Sequence, residues 1–451
     1  MSETNTGEEN AQALRYCADR GKVYIRAGDY PLHRFQFVDG DDIVGSGYNT
    51  NILSTSNIAV AFGNWSGDSF TGSVSEYSVI DPPSRFDTTI TFPLTTDSDN
   101  YSIGDPIVIW SDAGRITGAS TFIPAYLHIT EIKAISPGEV TIAHPIYRSV
   151  PMVGGVPSEI RITSAAQMGG YSNLDPRWAR DVTLSNLSFT SAGDSWSRYG
   201  GALRANVSNI WVRDSNSIFV QNGIAYSNFS FRKSQYHDFA LDMAMGCQHT
   251  NVLFDEAYCD SSLVNENPAI AFAECCHDNY VNAKNVFMMD KVLKDAAVSF
   301  KTGSADNVFE GNVFAHTTRR LVKQHHTANL EGVIWEGQRG NMIRNTSVKG
   351  VNSSYLLSVG SDTPGEMSKF SSENSYIESE NNSAVQFDIY GSQVDISGTT
   401  LNGQGLVRVN DDCEQVDISN VKCLRAPSSN AISQTAQVKS DGIILDPATW
   451  T

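Results

Sequence analysis

The chain has 451 residues, 40% apolar and 18% charged, a composition that excludes intrinsic disorder and exceeds the size of a usual single core. A formal charge of -18 argues against nucleic acid as a partner, which would need a basic face, and no stretch approaches the roughly 18 apolar residues of a membrane span. Seven cysteines lack metal-type CxxC spacing; Cys247 and Cys275 fall at like positions of a repeat and read as buried thiols.

Met1-Ser2-Glu3-Thr4-Asn5-Thr6 carries no basic start or apolar stretch of the secretory kind. Residues 8–20 set Ala11, Leu14, Cys17 and Ala18 at helical spacing, and Gly21 stops the pattern. This predicts a capping helix over residues 1–21, with the rest of the chain, 22–451, forming one elongated domain. Lys22 to Tyr30 reads as a strand and turn, and Asp42 to Gly47 as the next. Residues 85–150 break the rhythm with longer strands at 101–110 and 127–132 and a Ser136-Pro137-Gly138-Glu139 turn. An antiparallel insertion walling one side of a groove is expected there. The segment 170–200 collects Tyr171, Arg177, Trp178, Arg180, Trp196, Arg198 and Tyr199, a mixture that suits an acidic sugar chain.

From 181 to 425 short β-branched or aromatic runs recur between Asn, Gly, Ser and Asp, apart from a connection at 255–268. Gln393-Val394-Asp395-Ile396-Ser397 returns as Gln415-Val416-Asp417-Ile418-Ser419, 22 residues later, and Leu184 to Phe189 resembles Val207 to Val212. Ala244 to Asn251, Phe272 to Asn279 and Phe300 to Asn307 follow one plan at spacings of 28, and Val322 to Asn329 follows after 22. A short unit that cannot bury its own apolar face must stack on its neighbours, so the chain is a solenoid. The leucine pattern of leucine-rich repeats is absent, which leaves an all-β, single-domain parallel β-helix.

In this alignment Lys301 and Lys323 occupy one column. Adjacent parallel strands lie about 4.8 Å apart, so the two ammonium groups are expected side by side on the outer face. Their repulsion lowers the pKa of one and makes it a candidate general base. Lys294, Arg319, Arg320, His325, His326 and Arg344 crowd the same rungs of an acidic protein, which points to a polyanionic ligand. Cleaving a uronic-acid polymer by β-elimination needs such a group: cations for the carboxylate, a base for the adjacent proton, and an acid for the leaving oxygen. The plainer reading is a solvated lysine face.

The opening, with G-x-V-Y-I-x-x-G-x-Y at residues 21–30 after a helix, resembles the pectate-lyase-like superfamily, which implies a right-handed β-helix. Ser299-Phe300-Lys301-Thr302 resembles the S-x-K-S strand of the alginate lyase and chondroitinase B group, polysaccharide lyase family six. That resemblance implies Lys301 as base and Lys323 in the place of an assisting arginine, with Arg320 managing charge; Lys323-Gln324-His325 stands where the family has R-H-G. It also implies calcium, but Lys294 and Ala296 stand near the places of the calcium-binding glutamates, so no cofactor is expected. Lys294, Arg319, His325, Arg344, His237, Trp178 and Arg198 are the expected substrate contacts. Two other functions fit a β-helix: a glycoside hydrolase using Asp238, Asp242, Asp255, Glu256, Asp260, Glu274 and Asp278, and a tailspike-like rod that binds polysaccharide. All three imply an acidic polysaccharide partner and an extracellular or periplasmic location, and none sets the oligomeric state.

Overall fold

The computed structural model describes residues 1–56, 58–62, 77–78, 85–115, 124–150, 152–164, 178–191, 195–199, 201–214, 218–221, 223–236, 241–244, 246–259, 268–273, 275–293, 295–301, 303–317, 319–326, 333–334, 338–361, 367–380, 385–390, 393–402, 407–409, 415–424, 431–432, 437–441 and 444–445. The helix Gly7–Ala18 starts at a capping box, in which Thr6 accepts from the Glu9 amide and Glu9 accepts from the Thr6 amide. Its buried Leu14 joins the core of the coil, and Asn10 Nδ2 donates to Pro31 O at 2.8 Å, fastening the helix to the first rung.

Each circuit of the coil contributes to a long parallel sheet, turns into a second parallel sheet, and returns through a corner held by single bridges such as Gln248–His277–Ala305. Among the described residues the long sheet holds 19 strands and the second holds nine, including Leu241–Ala244, Ile270–Phe272, Ala296–Lys301, Arg320–His326 and Tyr355–Ser361. Both are parallel because each strand pairs with its counterpart one circuit away. The core is a stack of like residues: Phe272 lies on Phe300 with ring centroids 5.0 Å apart, and Phe231 on Phe254 at the same distance. This is the expected right-handed parallel β-helix. The C-terminal repeat pairs residue for residue, Gln393 with Gln415 through Ser397 with Ser419, and Leu184 pairs with Val207 as expected.

The middle repeats are corrected in register. Asn279, Asn307 and Asn341 form the buried ladder, with Thr250 at its head, whereas Asn251 pairs with Tyr280 and Asn329 lies outside the described residues. Asn307 Nδ2 donates to Asn341 Oδ1 and to Cys276 O, both at 3.0 Å, while its own Oδ1 accepts from the Asn279 amide. Such a ladder satisfies backbone groups that the corner removes from the sheets. Likewise Cys247 stands opposite Cys276, not Cys275, because Gln248 bridges His277; all three cysteines are buried. Strands and corner shift together: Leu241 pairs with Ile270 and Asn251 with Tyr280 just as Gln248 bridges His277, each 29 residues on where the sequence suggested 28.

Among the described residues an antiparallel six-stranded sheet is inserted, in the order 77–78, 160–164, 106–115, 124–136, 139–142, 89–91. It takes in strands on both sides of the expected limits of 85 and 150. One of its faces has its own core; the other packs Val108, Trp110, Leu127 and Ile129 on Trp178, Leu203, Ala225 and Cys275 of the coil. Gln248 completes the docking by donating to the Ile129 carbonyl while accepting from the Ile129 amide at 3.0 Å. Trp178 is therefore a core residue, 2% exposed, and not the sugar contact expected from its neighbours in sequence. The strand Ala257–Cys259 also continues the coil into what sequence suggested was a long connection.

Candidate functional site

Alternation in Ala296–Lys301 turns Val298 and Phe300 into the core and leaves Ser299 and Lys301 on the other face. The next rung does the same with Val322 inside and Lys323 outside. The two lysines share a face but not a column: Lys301 pairs with His325, and Lys323 pairs with Ser299. The sequence alignment is thus wrong by two residues here. A shift of two preserves the face of every side chain, whereas a shift of one would have put the two amines on opposite faces.

What joins the lysines is Asp295, in the turn that leads into the first of these strands. Its carboxylate accepts from Lys323 Nζ at 3.0 Å and lies 3.7 Å from both Lys301 Nζ and the Arg320 guanidinium. Burial pushes the Asp295 pKa up, but Lys323, Lys301 and Arg320 outweigh it and hold the group below its ordinary value. Burial is also the first cause of the lowered Lys323 pKa; Asp295 opposes it, and Arg320 and Lys301 add to it. Desolvation rather than mutual repulsion is therefore the larger effect on Lys323. Its side chain is 9% exposed, against 31% for Lys301, so Lys301 is the amine a polymer reaches first. Asp242, two rungs earlier, is kept protonated more readily than usual by burial, with Lys301 acting against that.

The other expected contacts divide. Arg319 is exposed in the turn before Arg320, and its carbonyl accepts from the Ser354 and Tyr355 amides. Arg344 belongs to the long sheet and pairs with Glu310, so it is not part of the lysine group. His325 lies in the strand Arg320–His326 and Arg198 in Ser195–Tyr199, but their side chains, like Lys294, His237, Asp238, Asp260 and Glu274, fall outside the described residues. Asp255 is held by Lys284 and Arg232, which draw its pKa down, and it lies past the far end of Asn251–Phe254 from the corner that holds Asp278. These two carboxylates do not form a hydrolase pair. The described surroundings of Lys301 also do not fit calcium, because the carboxylate there already faces three cations.

Sequence reasoning missed Asp295, for which the only signal was a lone acid one turn from the lysines. It also missed a cavity of about 610 Å³ on the long sheet, lined by Tyr48, Trp211, Arg213, Lys233, Gln235 and Tyr258. The Arg213 guanidinium lies over the Tyr48 ring at 3.9 Å, and the Tyr258 ring stacks on Phe287 with centroids 5.0 Å apart. Flat rings beside cations and an amide suit the apolar faces and hydroxyl rims of a sugar.

No protein-family model and no curated protein matches the sequence. Solved structures do match in shape. The tailspike protein gp49 from Pseudomonas phage LKA1 superposes with a TM-score of 0.53 at 14% identity, over 97% of this chain and 72% of that one. The Pseudomonas phage phi297 tailspike gp61 gives 0.49 at 13% identity, over 97% of this chain and 74% of that one. At such identity the likeness to gp49 is one of fold, and the chain is accordingly a right-handed parallel β-helix of that general build.

Proposed function

We propose that this protein binds an acidic polysaccharide and cleaves it at a uronic acid residue by β-elimination. The observation that carries the reading is the meeting of Lys301, Lys323 and Arg320 at one carboxylate in a protein of formal charge -18. Lys323 and Arg320 outnumber the one carboxylate even when Lys301 is a neutral amine, which leaves a local excess of positive charge on the face where Lys301 meets solvent. A uronate carboxylate entering beside Asp295 is stabilised by the same groups, which acidifies its neighbouring C5–H. Lys301, the more exposed amine, acts in its neutral form and removes that proton; the C5–H electron pair forms the C4–C5 double bond, the C4–O4 bond breaks, and the leaving oxygen takes a proton from the Lys301 ammonium so formed. Lys323 and Arg320 hold the charge. No water is added, so the product is an unsaturated sugar. An extracellular or periplasmic location follows from such a substrate.

The test is digestion of alginate, pectate and glycosaminoglycans followed by product mass spectrometry. An unsaturated fragment, lost about 10²–10⁴-fold in Lys301→Ala with the fold retained, is the expected result. Fragments carrying an added water would replace elimination by hydrolysis, and no fragments from any uronic-acid polymer would overturn cleavage altogether.

The aromatic cavity favours a second reading, a rod that binds polysaccharide without cutting it. Binding that persists in Lys301→Ala but is lost in Trp211→Ala, with no cleavage by either protein, would favour that reading.

A further inference from the structure

A second cluster lies at the corner where the insertion meets the coil. His249 and Asp278 occupy equivalent corner positions on successive rungs, both in the left-handed backbone region with φ of 47° and 53°. Tyr226 precedes them in the same column with φ of 53°, an uncommon conformation for a bulky residue and one that is kept at functional sites more often than elsewhere. That conformation turns their side chains toward the insertion. His277, fully buried beside Asp278, places Nδ1 2.9 Å from Asp278 Oδ2, and His249 Nε2 lies 3.9 Å from the same oxygen. The ligand atoms of the three residues all lie within 4.8 Å of one another.

From the insertion, Tyr147 lies flat on the His277 ring, with centroids 3.4 Å apart, and His144 stacks on Tyr226 at 3.7 Å. The ring of His277 is thereby fixed in one plane. Its Nε2 and the Tyr147 hydroxyl are buried without a hydrogen-bond partner among the described residues. The mechanism proposed above uses none of these groups.

We propose that His249, His277 and Asp278 bind a divalent transition-metal cation of the zinc class. Tetrahedral bonds of about 2 Å set ligand atoms about 3.3 Å apart, a value that the two measured separations of 2.9 and 3.9 Å bracket. Small rotations of the exposed His249 ring close the difference. Arg148 and Arg85 stand close enough to act on His277 and Asp278, which weakens a hard cation held by charge alone. What remains is the preference of imidazole for zinc, nickel or copper over calcium or magnesium. Three protein ligands, two of them reachable from solvent, leave a fourth position for water or a ligand oxygen.

The experiment uses the full chain freed of metal by chelator. Calorimetric titration with Zn²⁺ is expected to show one site per chain, and Co²⁺ is expected to give visible d–d bands of a tetrahedral site that Zn²⁺ erases. His249→Asn and Asp278→Asn keep a residue type that tolerates the left-handed backbone, and each is expected to weaken binding at least tenfold while Lys301→Ala does not. As a check needing no variant, Zn²⁺ is expected to protect His249 from chemical modification read by mass spectrometry. Absence of a Zn²⁺ isotherm, binding unchanged in both variants, or modification of His249 at the same rate with Zn²⁺ present would each overturn the site. None of these readouts depends on polysaccharide cleavage, so the site and the elimination reaction can fail separately.

Discussion

Lys301 and Lys323 sit two residues out of register on adjacent rungs and meet at a shared carboxylate, 3.7 and 3.0 Å from Asp295. A direct stack would have left two like charges facing each other. The offset instead puts a carboxylate between them, so their positive charge is gathered at low electrostatic cost and remains available to a second anion.

Asp295→Asn tests that arrangement. The variant leaves the nearly buried Lys323 ammonium without its anion and is expected to lose about 1–3 kcal/mol of stability. Polyanion binding should tighten at low salt, with a steeper salt dependence, because a negative charge has left the site. Denaturant unfolding and binding titrations at two ionic strengths check both. Unchanged stability would mean that the ion pairs are solvated and weak.

The histidines make the fold sensitive to acid. Burial, then the neighbouring His277, lowers the His128 pKa from 6.5 to about 3. The unfolded chain takes up a proton below the ordinary value and the folded chain refuses it, so stability present above pH 6.5 is lost as pH falls toward 3. The loss is about 1.4 kcal/mol per pH unit for one such group. His277 acts in the same direction, while Asp278, whose pKa burial raises, recovers part of the loss only near its own titration. Denaturation midpoints in a pH series should therefore fall in mild acid, and His128→Gln should flatten the curve. An equal slope in that variant would remove His128 as the cause.

Gln248→Leu should free the insertion from the coil. It strands the amide and carbonyl of Ile129 in a buried site, at about 1–3 kcal/mol for each unsatisfied group. Hydrogen exchange should quicken along the strand Pro124–Ser136 well before the coil opens. Faster exchange spread evenly over the molecule would argue that insertion and coil unfold as one unit.

Asn307→Ala removes the middle of the asparagine ladder. The Asn279 amide loses its partner at a position with no exposure, while the Cys276 carbonyl keeps the Ala305 amide, and a cost of about 1–3 kcal/mol is expected in global unfolding. The exposed neighbour pair Asn251 and Asn228, bonded at 2.9 Å, provides the contrast: Asn251→Ala should stay within about 0.5 kcal/mol. Equal costs would show that the ladder is no more than a surface feature.

Much of the architecture could be read in the order of residues alone. A recurrence of 22 in Gln393–Ser397 and Gln415–Ser419 demanded stacking, and alternation about Val298 and Phe300 set which side of the strand carries Lys301. These are local properties: a period of two along a strand and an apolar face that must be covered. The register between rungs was different in kind, because connections and strand bulges absorb extra residues, as the shifts at Asn251, Cys275 and Lys323 show. Only the wound chain decides which corner residue meets which. Asp295 beside Lys301 and Lys323, and Tyr147 over His277, are pairs made by backbone hydrogen bonds between rungs and by the docking of an inserted sheet. No spacing along the chain encodes either, which is why the scaffold was plain from the sequence and the chemistry at its surface was not.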